Sequence, residues 1–98
     1  MHCIVSWDVS EGAPPRSMVE QKLLDVLAPY AWVRPLTTFY IVPLPDQLRY
    51  NMLVQQLQGV AQQWPMRIHI VISPLMSGGQ YMGFLPGDLW PAIAQRTI

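Results

Sequence analysis

A chain of 98 residues, about half of them apolar, with six basic and six acidic side chains and no net charge, makes one domain (residues 1–98) around a single modest core. That composition excludes disorder. It also disfavours nucleic acid as a partner, because phosphate binders cluster Lys and Arg, whereas Lys22, Arg16, Arg34, Arg49, Arg67 and Arg96 are scattered. So few charges point to apolar surface covered by a second copy, and a homodimer is expected.

The lone cysteine, Cys3, excludes an intrachain disulfide and reads as a small buried hydrophobe. No basic leader opens the chain, and no apolar run approaches membrane-spanning length. A soluble, cytoplasmic protein with no membrane partner is expected.

The first strand runs from His2 to Ser10 and is β-branched in its middle. Alternation puts Cys3, Val5, Trp7 and Val9 on one face and His2, Ile4, Ser6 and Asp8 on the other. Such a strand belongs at the centre of a sheet with helices on one side. A turn with Pro14 and Pro15 follows, and a helix is expected from Pro15 to Leu27. Its apolar stripe is Val19, Leu23, Val26, Leu27 and Tyr30, and Pro29 ends it.

Two extended pieces come next, Ala31 to Arg34 and Thr37 to Val42, divided by Pro35. They form either a hairpin or one bent strand. Asp46 is a good N-cap for a second helix, Gln47 to Gln63, whose stripe is Leu53, Leu57, Val60 and Trp64. Met66 to Ser73 alternates as a strand. Gln80 to Phe84 reads as a further short strand, and Asp88 caps a helical tail from Leu89 to Arg96.

The order β-α-β-β-α-β is that of an α+β, ferredoxin-like sandwich: an antiparallel sheet, two helices on one face, and here an extra C-terminal strand and tail. Sheet edges in so small a fold need cover. Tyr81, Phe84, Leu85 and Trp90 in the tail are the expected dimer interface.

A first strand ending Trp7-Asp8, then a helix, then Thr37-Thr38-Phe39 opening a strand, resembles the small CRISPR-associated adaptation subunit family. The tail, Gly83-Phe84-Leu85-Pro86 with Trp90, is more similar to SinR-like bacterial relatives of that fold. The resemblance implies a ferredoxin-like dimer with an aspartate at the end of the first strand. In nuclease members that aspartate binds a divalent metal, Mg²⁺ or Mn²⁺, at the dimer interface, and Asp8 holds the matching place. Those members carry more basic residues around the first helix than Arg16 and Lys22.

Asp8 is therefore the candidate catalytic and metal-binding residue, since a carboxylate at a strand end can hold a hard cation. The plainer alternative is a local hydrogen bond capping the Ser10–Gly12 turn. His2 shares the face of Asp8 but lies too far along the strand to touch it. His69 reads as a half-buried packing residue rather than a general base. Ser77-Gly78-Gly79 is a turn, since no Lys follows it as in a phosphate loop. The aromatic residues read as core and interface packing rather than base-stacking platforms.

Three functions follow from this reading. The foremost is a small dimeric interaction or scaffold protein. The alternatives are a divalent-metal-dependent endonuclease acting on RNA or DNA, with Asp8 from each subunit, and a small-ligand or regulatory module.

Overall fold

The computed structural model describes residues 1–98. Strand β1 (His2–Val9) leads through helix α1 (Arg16–Leu27) to β2 (Val33–Leu36) and β3 (Phe39–Pro43). Helix α2 (Gln47–Gln63), strand β4 (Ile68–Ile72) and helix α3 (Leu89–Arg96) complete the chain. The sheet order is β2-β3-β1-β4, and every neighbouring pair is antiparallel. This is the split βαβ, ferredoxin-like arrangement, with β1 central.

The first face of β1 builds the core. Cys3, Val5, Trp7 and Val9 are buried with Tyr40 and Val42 of β3, under Val19, Leu23 and Leu27 of α1 and Leu53 and Leu57 of α2. The apolar spacing of each helix turns one stripe toward that face. Trp7 stacks on Tyr40 at 4.5 Å, and Trp32 meets Tyr40 edge-on at 5.3 Å. Trp7 and Tyr40 are therefore core residues, with half-buried Trp32 packed against them. Asp46 caps α2 by accepting a hydrogen bond from the Arg49 N–H at 2.8 Å.

The two middle pieces form a hairpin. Pro35 lies inside β2, which tolerates it because β2 is an edge strand with an irregular register against β3. Thr37 and Thr38 form the turn instead of opening the strand.

Two expectations for the tail fail. Gln80 to Phe84 is not a strand; the only pairing there is a single bridge between His2 and Met76. Gly78, Gly79 and Gly83 have φ of 65°, 95° and 152°, outside strand geometry, and the chain bends at Gly83. Asp88 makes no side-chain cap for α3, because its own backbone is already helical. The first turn is held instead by the Leu89 N–H donating to the Pro86 carbonyl. Helix α3 packs on β2 and β3. Buried Ile93 and Ile41 share the wall of a hollow on the face opposite α1 and α2. No helix is long and apolar enough to cross a membrane.

Candidate functional site

The second face of the sheet is a ladder of rows set by strand register. Pro43 and His2 form one row, Ile41 and Ile4 the next, then Phe39, Ser6 and Val71, then Asp8 and His69. Along β1 this face runs from buried His2, through half-buried Ile4 and Ser6, to exposed Asp8. The C-terminal segment covers the His2 end and stops short of the Asp8 end.

The Asp8 side chain, exposed at the strand end, caps no turn through a hydrogen bond. Its cross-strand partner is His69 of β4, also exposed. Residues directly opposite in antiparallel strands put their side chains on one face, so this pairing brings together two groups 61 positions apart in sequence. The pair lines a polar hollow of about 460 Å³ with Arg16 and Glu20 of α1, Thr37 and Thr38 of the hairpin turn, and Arg67. The turn is tied to β1 by the Trp7 N–H donating to the Thr38 carbonyl at 3.3 Å.

Arg67 builds the wall of this hollow. Its guanidinium donates to the Ser10 carbonyl at 2.9 and 3.2 Å and to the Pro14 carbonyl at 2.7 Å. Ser10 answers from its N–H and its hydroxyl to the Arg67 carbonyl, at 3.0 and 3.3 Å. Gly12 passes so close that an added Cβ would lie 3.0 Å from Arg67 Nε, which explains a glycine there. Arg67 is thus committed to the backbone. Arg16 pairs with Glu11 at 3.4 Å, so Glu11 faces α1, and Glu20 is the acid that lines the hollow.

Sequence reading identified Asp8 but placed no partner beside it. His69 and Glu20 enter only through strand register and helix packing. No three His, Cys, Asp or Glu side chains lie close enough in one chain to form a metal site. A hard cation at Asp8 would draw its remaining ligands from a second copy, water or a bound phosphate.

Tyr81, Phe84, Leu85 and Trp90 line a separate apolar hollow of about 290 Å³, with Leu36 and Phe39 among its walls. Phe84 is wholly exposed and Met82 is 87 % exposed, whereas Tyr81 turns inward and its hydroxyl meets His2. Phe39 belongs both to this hollow and to the row containing Ser6 and Val71.

No protein-family model matches the chain, and no curated protein matches it. Among solved structures it is similar to a hypothetical protein, TT1823, from Thermus thermophilus. The TM-score is 0.59 at 18 % identity, covering 87 % of this chain and 93 % of that one. At that identity the likeness supports the fold alone.

Proposed function

We propose that this chain is a dimeric interaction module, similar in form to the small CRISPR-associated adaptation subunit. Two copies meet through the open half of the second sheet face. The observation that supports this is the row Phe39, Ser6, Val71. A β-branched residue near the end of β4, Val71, is 72 % exposed, and it shares a row with a small serine and an aromatic ring. Phe39 continues that row into the apolar hollow under Phe84. Strand interiors on a covered face carry such residues, and on a bare face they expose apolar area that association removes from water. Sedimentation velocity on the wild type and Val71→Glu tests the reading. A wild-type dimer that the variant converts to monomer supports it, and a wild-type monomer at high micromolar concentration refutes it.

A second reading rests on the Asp8–His69 pair. A dimer closed through this face would bring two such pairs toward one another, each beside its own polar hollow. With Mg²⁺ or Mn²⁺ bound between the copies, the cation would polarise a phosphodiester and activate water. The protein's part is to place Asp8 at the strand end with His69 beside it. Labelled single-stranded RNA and duplex DNA, incubated with either cation, should be cut by wild type and not by Asp8→Asn or in the presence of chelator. Cutting that persists in Asp8→Asn removes this reading.

A further inference from the structure

The opposite end of the same face holds an arrangement that neither reading uses. The His2 side chain is fully buried. Its Nε2 lies 2.5 Å from the Tyr81 hydroxyl, with the two rings edge to face at 5.5 Å. Its Nδ1 is buried and has no hydrogen-bond partner. The His2 main chain exchanges two hydrogen bonds with Met76, both 2.8 Å. One residue of β1 therefore grips the C-terminal segment twice, once through backbone and once through its ring.

No side chain around His2 offers a counter-charge to an imidazolium, and the terminal carboxyl group at Ile98 is exposed and bonded to the Met1 ammonium at 3.2 Å. The titratable groups adjoining His2 in the chain are the Met1 amino group, just before β1, and the Cys3 thiol, and burial pushes that thiol up to about 12, so it is neutral. On β3 the residue paired with His2 is Pro43, and the one titratable side chain is Tyr40, buried on the other face. From Ser73 to Gly87 the segment carries no charged side chain, and Tyr81 is its only titratable one. Arg96 is the only charged residue of α3, and it donates to the carbonyls of Ala31 and Ala92. Asp46, just past β3, is occupied as the cap of α2.

We infer that His2 and Tyr81 form an acid-released latch: protonating His2 frees the segment beyond Ser73, which Ile4 and Tyr50 hold independently, and uncovers the apolar sheet face beneath it. The proton balance gives the reason. If the neutral ring accepts from the Tyr81 hydroxyl, the added proton lands on Nε2 and that bond is lost unless the hydroxyl reverses. If the ring donates to Tyr81, the proton lands on Nδ1 and creates a buried N–H with no acceptor. Either way a charge sits in a dry site, and the segment can relieve it only by letting water in.

Burial, and secondarily the Met1 amino group, holds the His2 pKa below its ordinary value of 6.5. The released state, with an ordinary histidine, binds the proton more readily. The latch is therefore at full strength above that value and weakens as pH falls through it.

Hydrogen exchange on the full chain, expressed as protection relative to α2, tests this. From pH about 7.5 to about 5, protection from Leu75 to Arg96 should fall by about tenfold or more in wild type and in His69→Gln. His2→Phe should lose that pH dependence. Unchanged protection in wild type, or an equal fall in His2→Phe, would overturn the latch. NMR titration of the wild type keeps the test open should His2→Phe not fold. The Trp90 indole signal should move with the His2 ring and not with His69. A signal that follows His69, or neither ring, also overturns it.

Discussion

The two ends of the second sheet face are built from the same strands and behave oppositely. At the His2 end, the C-terminal segment covers the sheet, histidine is buried, and its one ring partner is a tyrosine. At the Asp8 end, the sheet is bare, histidine is exposed, and its neighbour is a carboxylate. The chain thus carries its two histidines on one face, one in a dry site that disfavours the proton and one in a wet site beside an acid. Position under the tail, and not residue type, separates a structural histidine from one open to chemistry. The reach of the tail decides where that boundary falls.

The comparison breaks most sharply at Ile93. This residue is buried in the second face with Ile41. Ile93→Ala should cost about 3 kcal/mol, because a cavity remains where the side chain packed. Thermal unfolding should show a Tm lower by roughly 10 °C or more. An unchanged Tm would mean that the tail docks without belonging to the cooperative unit.

At the bare end the largest effect should come from Arg67. Arg67→Met removes a planar clamp on the Ser10 and Pro14 carbonyls and should cost about 2 kcal/mol. Arg67→Lys should not restore it, since an ammonium cannot span two carbonyls as the fork does. Chemical denaturation of the three proteins checks this, and a full rescue by lysine would show that the charge alone matters.

Tyr81→Phe should cost about 1 kcal/mol at neutral pH by leaving His2 Nε2 without its partner. The core face of β1 supplies a contrast in pH. Burial raises the Cys3 thiol from 9.0 to about 12, so the folded chain keeps a proton that the unfolded chain releases. Stability from this thiol is complete below pH 9.0, falls as pH rises above it, and Cys3→Ala should remove that alkaline dependence. Melting curves across that range measure it.

The smallest effects should come from Tyr40→Phe and Asp8→Asn. The Tyr40 hydroxyl is buried with no partner, so removing it should be neutral or stabilising by up to about 1 kcal/mol. The Asp8 side chain is exposed and without a hydrogen-bond partner, so Asp8→Asn should leave Tm unchanged whatever it does to activity. A clear loss of stability there would mean that Asp8 has a structural partner after all.

The helices, the alternation of β1 and the Asp46 cap were legible because each depends on neighbours within a turn or two of the chain. Apolar spacing selects the buried face of a helix or strand whatever it packs against. The split βαβ order followed from the succession of elements, since right-handed crossovers leave few ways to pair four strands. The tail departs from the expected strand because Tyr81 and Phe84 are residue types that favour extension, while the positive φ of Gly83 between them breaks it.

What sequence alone determined, then, is the fold, the core face, and the place of one carboxylate at the end of the central strand. What only tertiary structure decided is company. The β1–β4 register puts His69 beside Asp8, helix packing brings Glu20 to the hollow, and Arg67 is taken up by the backbone of a distant turn. The folding back of the tail buries His2 against Tyr81. These contacts join residues from about 10 to 80 positions apart, and no local periodicity records them, because the chain pays the entropy of closing such loops only when the whole sheet forms.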